Sequence, residues 1–517
     1  MLLPKQRIKG NTKTFVDGPE KFKMDVKSTK RFGIRFKQLM TMLLSFWMVV
    51  HYFERVKPYN ALKSCTWNNW ENWGSDSDPH HAIVYGDPQI VDDYSYPNYP
   101  FLLLAFTKIL SDNYLHRNHV MIKKVLDPHS IFFVGDLFDG GREWDDSLWF
   151  KEFERFNSIF SPLDGVRQFR QIPGNHDIGF GQGINFEKYS RFRSYFGNAD
   201  EVLLLGNHSI VLMDSVSLSC DNDKRISYNS QKFLESLQDP HHIAHAYPSV
   251  LLTHVPLYRL TEIQTCGSYR ESKKPFPVMK GKQYQTVLDY EISQKFINWI
   301  KPSLILSGDD HDYCHVRHPF DKYMQLDKSD YEISEDYIPG IHYADEITLK
   351  SSAMTGGIKR PGIQLMSFWN PENFENEKWK TQKKESKTVD AKTVKAELCY
   401  LPDPYEAIRA YSFCLIMSIL WLIVCILTPS VGHRLNHKFI IFFERSKSVI
   451  IRAIKNPEVS INLGSMEPKK SSLLERFSKW ILDWDVESHR DWKMFIINTS
   501  VYVISAFMIV IFYFNSI

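Results

Sequence analysis

The sequence predicts an α/β domain carried on about three transmembrane helices. Three observations lead there. Short apolar runs alternate with helix-spaced segments from residue 81 to about residue 370. Uncharged apolar stretches at 38–53, 410–428 and 494–514 flank that region. Charge is segregated around them: residues 1–37 carry 11 Lys/Arg against 3 Asp/Glu, residues 54–409 carry 40 against 49, and residues 430–493 carry 12 against 8. The overall charge of +3 over 517 residues gives no reason to expect nucleic acid as a partner. The segregation is what a membrane protein with unlike sides shows.

Taken in order, the basic segment 1–37 has little apolar periodicity and reads as a cytoplasmic tail. The stretch 38–53 is 16 residues long, short for a span, but Arg35, Lys37 and Arg55 can snorkel and extend it. No small-residue cleavage site follows, so it reads as an uncleaved anchor rather than a signal peptide. Residues 54–80 are a Trp-rich, polar lead-in. Within 81–370, HAIVYG, SIFFVG and VRQFRQI read as strands, with helices at 100–126 and 147–160 between them. Residues 202–215 read as a hairpin turning at Asn207 and His208, and 249–253 and 303–308 as strands around a helix at 288–300. IHYADEITLK and GIQLMSF close the domain. This alternation, with its hairpins, is the mark of an α/β domain. The polar, charged stretch 371–409 reads as a linker. Residues 410–428 and 494–514 are uncharged and long enough to span a bilayer, with a basic loop at 430–493 between them. The Lys/Arg excess places the tail and that loop in the cytoplasm and residues 54–409 across the membrane. The seven cysteines include no CxxC pair. Cys414 and Cys425 fall in an apolar run. The other five share one compartment, where one or two disulfides could form with pairing left open.

Five polar clusters follow apolar runs in turn: Gly86-Asp87-Pro88-Gln89, Gly135-Asp136-Leu137-Phe138-Asp139, Gly174-Asn175-His176-Asp177, Thr253-His254-Val255-Pro256 and Gly308-Asp309-Asp310-His311. Glycine lets the chain turn sharply off a strand. The Asp, Asn and His that follow offer hard oxygens and imidazoles suited to Mn²⁺, Fe or Zn²⁺. A carboxylate can bridge two such ions, the geometry of two-metal hydrolysis. One Gly-Asp after a strand is usually only a turn. Five clusters in register are a much stronger signal.

This series resembles the calcineurin-like metallophosphoesterase superfamily, with its D-x-H, G-D-x-x-D, G-N-H-D/E, later H and G-H-x-H motifs, over about residues 81–315. The resemblance implies a two-sheet β-sandwich flanked by helices. GDPQIVDDYSYP, GDLFDGGREWDD, SGDDHDYC, GGIKRPGIQL and the flanking spans are more narrowly similar to the membrane-bound phosphodiesterases that remodel glycosylphosphatidylinositol (GPI) glycans in the endoplasmic reticulum. That likeness implies a multi-pass endoplasmic-reticulum protein with a lumenal catalytic domain, using two divalent ions, foremost Mn²⁺. It would remove ethanolamine phosphate from a mannose of a GPI glycolipid or GPI-anchored protein, supporting maturation and export. By position, Asp136 matches the bridging ligand, Asp87 and His311 ligands of one metal, and Asn175 and His254 ligands of the other. His176 matches the group that protonates the leaving oxygen, with Asp177 expected to orient it and Asp139 to order its loop. Gln89 and Asp309 stand where the superfamily has histidine and are expected as oxygen ligands. Arg142, just after GDLFDGG, is a candidate for substrate phosphate. The motifs point to phosphoester chemistry but not to the leaving group. A tethered phosphatase on another phosphoester, or a non-catalytic GPI- or cargo-binding adaptor, are the alternatives.

Overall fold

The structure, a computed structural model, describes residues 36–319, 343–370, 393–427 and 492–516. Nearly all of the expected cytoplasmic tail and of the 430–493 loop, and most of the 371–409 linker, lie outside these residues. The chain divides into two compact units, and the unit formed by Met42–Leu420 and Val503–Ile517 contains the folded domain.

Its frame is two sheets. The first has the order β11-β10-β1-β2-β3, with β1 (His80–Tyr85), β2 (Ser130–Phe133) and β3 (Arg167–Phe169) parallel, β10 (Gly362–Phe368) antiparallel to β1, and β11 (Val394–Tyr400) antiparallel to β10. The second has the order β4-β5-β6-β7-β9-β8. Here β5 (His208–Met213), β6 (Ser249–Thr253), β7 (Leu304–Ser307) and β9 (Tyr343–Thr348) are parallel, with β4 (Glu201–Leu205) and β8 (Cys314–Pro319) as antiparallel edges.

The strand sequences explain the layers. Side chains alternate across a strand. Ala82, Val84, Phe132, Ile210, Leu212, Val250, Leu252, Leu304 and Leu306 share one core with residues of both sheets. Their neighbours Ile83, Tyr85, Ile131, Phe133, Val211, Leu251 and Ile305 pack with helix residues such as Leu115, Ile122, Trp149 and Phe156. Both faces of each central strand are therefore covered, which is why these strands read as unbroken apolar runs. Helices Phe101–Val125 and Asp146–Ile159 link the parallel strands of the first sheet, the second helix capped by the Asp145 carboxylate accepting from Leu148 N. The parallel strands end on one side, so the loops after β1, β2, β6 and β7 converge there.

Two expectations change. The stretch expected to be a linker contributes β11, paired with β10 from Gly362↔Tyr400 to Phe368↔Val394, so the sandwich continues to Tyr400 rather than ending near residue 370. Among the described residues, two helices rather than three are long and apolar enough to cross a membrane, over Pro404–Val424 and Phe495–Asn515, with mean hydropathy 2.0 and 2.2. The first stretch forms the helix Phe36–His51, 16 residues long, and continues through a wider turn at Tyr52–Val56 into the helix Lys57–Lys63.

Disulfides join Cys65 to Cys399 and Cys266 to Cys314. The first ties the lead-in to β11. The second ties the long loop after β6 to the start of β8. Cys220 and Cys414 are free.

Candidate metal centre

The loops at the strand ends bring three ligand-type atoms, from Asp87, Asp136 and His254, within 4.8 Å of one another, and all three residues are buried. Around them, His254 Nε2 lies 3.5 Å from Asp136 Oδ1, 3.7 Å from Asp309 Oδ1 and 3.2 Å from Asn175 Oδ1. The other ring nitrogen, Nδ1, donates to the Val134 carbonyl at 2.8 Å, which fixes the tautomer and leaves Nε2 free to ligate. His311 is held in the same way, Nδ1 against the Gly356 carbonyl at 3.2 Å, and it is near enough to act electrostatically on the Asp87 and Asp136 carboxylates. Gln89 is buried, and its amide nitrogen donates to Asp136 Oδ2 at 3.0 Å. The structure thus brings together Asp87, Gln89, Asp136, Asn175, His254, Asp309 and His311. Asp87 Oδ2 is buried with no hydrogen-bond partner. A carboxylate oxygen in that state, among two further carboxylates and two imidazoles, fits divalent cations.

The backbone carries part of the arrangement. Asp87, Gln89, Asp136, Asp309 and His311 all have positive φ, five of the nine non-glycine residues that do so among the described residues. Such conformations are costly and gather where function over-determines them. Two glycines make room for ligands rather than simply turning the chain. At Gly135, φ +92°, a Cβ would stand 2.5 Å from His254 Nδ1, and at Gly174 it would collide with the Asp136 carboxylate.

His176 and Asp177 divide their work differently from the expectation. His176 Nδ1 is 2.6 Å from the Asp139 carbonyl and 3.1 Å from Asp139 Oδ1, so Asp139 orients the imidazole and leaves Nε2 free. The Asp177 carboxylate lies beneath the loops. It accepts from Gly174 N at 2.7 Å, Leu137 N at 3.2 Å and Phe138 N at 3.0 Å, locking the two ligand-bearing loops together. Asp177 is therefore a positioning residue, not the partner of His176. Replacing it with alanine strands three backbone donors and should cost about 2–4 kcal/mol. The check is a melting temperature several degrees lower together with a reduced metal content.

Arg142 also serves the loop. Its Nη1 donates to the Asn175 carbonyl at 3.0 Å and its backbone N to the His176 carbonyl at 2.9 Å. Asp310 pairs with Arg270, and Asp312 accepts from Lys350 and from Glu271 N and Ser272 N, so neither faces the cluster. A buried group the sequence did not mark lies under the His254 loop. Glu346 pairs with Arg259 at 3.0 Å and His318 at 2.6 Å and accepts from Leu257 N at 3.1 Å.

The electrostatics follow from burial and crowding. Burial pushes Asp87 up. Burial works to raise Asp136 too, but the His254 and His176 charges hold it below the ordinary carboxylate value. Burial, with Asp136 and Asp87 close by, raises Asp309 to about 7. Burial opposes a charge on His254, yet Asp136, Asp87 and Asp309 hold its pKa up at about 9. His176 likewise stands at about 9, burial being outweighed by Asp136 and Asp139. In the metal-free protein Asp309 and His254 therefore both hold protons near pH 6, and cation binding must displace them. Mn²⁺ affinity measured by titration calorimetry should tighten on the order of tenfold or more from pH 6 to pH 8, with proton release visible in buffers of different ionisation enthalpy. An affinity independent of pH would mean that other residues hold the metal.

The model describing the calcineurin-like phosphoesterase family matches residues 77–313. The chain is 38% identical over 470 residues to Cell division control protein 1 of Saccharomyces cerevisiae, covering 90% of this chain and 88% of that protein. It is 31% identical over 211 residues to Metallophosphoesterase 1 of Mus musculus, covering 38% of this chain and 52% of that protein. Over 305 residues it is 27% identical to Metallophosphoesterase 1 of Danio rerio, covering 56% and 77%.

Proposed function

The chain belongs to the calcineurin-like phosphoesterase family, and from that premise we propose that it is a metal-dependent phosphodiesterase removing ethanolamine phosphate from a mannose of GPI glycans in the endoplasmic-reticulum lumen. The observation that carries the hydrolase reading is the convergence of Asp87, Asp136 and His254, with Asn175 and Asp309 at the same point. The helices Pro404–Val424 and Phe495–Asn515 favour a membrane-borne substrate, because enzyme and glycolipid then diffuse in one plane. Two disulfides within the domain favour an oxidising compartment, as the lumen is.

When bound, a pair of divalent ions would activate water and neutralise the phosphodiester charge. Asp136, Asp87, His311, Asn175, His254 and Asp309 would hold them, Asp136 being shared between the two groups of donors. The oxygen-rich set favours Mn²⁺ over softer metals. His176, protonated at neutral pH and held at Nδ1 by Asp139, gives its Nε2 proton to the departing mannose oxygen, which is a poor leaving group without one.

The test uses the purified full chain with a GPI glycan bearing ethanolamine phosphate. Stripping metal should abolish release of ethanolamine phosphate, and Mn²⁺ should restore it. Restored hydrolysis of simple phosphodiesters, with the GPI glycan left untouched, would sink the substrate assignment. Two bound ions with no hydrolysis of any phosphoester would sink the enzyme reading.

A further inference from the structure

The helix Phe101–Val125 buries its second half but not its first. Phe101 and Leu102 are 81% and 79% exposed, and Leu103, Phe106 and Ile109 are exposed as well. A contiguous apolar surface of this kind marks a contact site. The C-terminal end of the stretch is fastened where the helix Pro404–Leu427 begins. Beyond its C-terminal end, Asn113 and Arg117 donate to the Glu54 carboxylate at 3.0 Å and 2.6 Å, just past the helix Phe36–His51. Tyr411, in the helix Pro404–Leu427, donates to the same carboxylate at 2.6 Å, and Tyr114 donates to the Pro402 carbonyl at 2.8 Å. At the N-terminal end, the rings of Tyr96 and Tyr99 stack at 4.6 Å. Tyr52, Tyr59, Tyr94, Tyr99 and Tyr405 are all exposed in these same segments, and tyrosines gather in this way at headgroup depth.

The loop that leads into this helix also reaches the catalytic pair. Ile90 N, in that loop, donates to the Leu137 carbonyl at 3.2 Å, and Ile90 forms a short parallel bridge with Phe138, the residue before Asp139. Asp139 in turn holds His176.

We propose that residues 94–109 form a membrane-contact element. Phe101, Leu102, Leu103, Phe106 and Ile109 sit in the outer part of the bilayer, and the tyrosine-bearing loop before them holds the mouth of the metal centre at the headgroup layer. A lipid-linked phosphodiester then meets His176 without leaving the membrane. The proposal rests on reading the long apolar helices as membrane spans.

The experiment uses the full chain in phosphatidylcholine nanodiscs, with Leu102→p-benzoylphenylalanine as a photocrosslinker. Tyr228→p-benzoylphenylalanine, 55% exposed on the helix Lys224–Ser236, is the comparison. Hydrolysis of bis(p-nitrophenyl) phosphate at the unsubstituted rate shows that each variant is folded. Position 102 should yield about tenfold more phosphatidylcholine adduct than position 228, as expected for a side chain within the acyl boundary. Equal lipid adduct at the two positions, or adducts at 102 to protein instead of lipid, would overturn the proposal. The readout is a lipid adduct, so it stands or falls independently of the GPI assignment.

Discussion

Replacing Asp136 with alanine should lower kcat/KM for phosphodiester hydrolysis on the order of 10³-fold or more, about 4 kcal/mol of transition-state stabilisation. The size follows from position. Asp136 lies 3.5 Å from His254 Nε2, and it also accepts from Gln89 and from the His176 backbone N at 2.9 Å. Its loss removes a shared ligand and loosens the loop that carries Asn175 and His176. Metal analysis should show fewer ions per chain, with the domain still folded. Full activity with unchanged metal content would remove Asp136 from the centre of the site.

The second large effect is His176→Ala. A positioned general acid contributes about 10²–10⁴-fold, so kcat should fall within that range while metal content stays near that of the unaltered protein. The loss should depend on the leaving group. A mannose oxygen needs the proton and a p-nitrophenolate does not, so hydrolysis of bis(p-nitrophenyl) phosphate should suffer far less. An equal loss on both substrates would assign His176 to binding rather than proton transfer.

Most of the frame was legible because burial on both faces leaves a plain record. HAIVYG, SIFFVG and SLILSG are apolar runs ended by glycine, and each becomes a parallel strand whose end carries a ligand-type residue. What the sequence hid has local causes. Sequence adjacency pairs Asp177 with His176, but residues 175–178 form a helical turn, on which adjacent side chains point apart. The Asp177 carboxylate turns under Gly174, and Asp139, distant in sequence, takes the imidazole. The edge strand VKAELCY was masked by the charged run before it. CHVRHP carries no strand signature, because β8 lies at a sheet edge where Pro319 and two histidines are tolerated. In the sequence Gly135 and Gly174 look like turn residues. Only the folded chain shows the His254 ring and the Asp136 carboxylate occupying the space a side chain would need. Glu346, Arg259 and His318 lie far apart in sequence and carry no motif, so their buried network under the His254 loop left no signal.

The most direct test of the central claim is the mass of the GPI glycans that accumulate when this protein is removed from its cells. The account predicts glycans that retain one additional ethanolamine phosphate on a mannose, cleared by the unaltered protein and not by Asp136→Ala. GPI glycans of unchanged mass in its absence would contradict it.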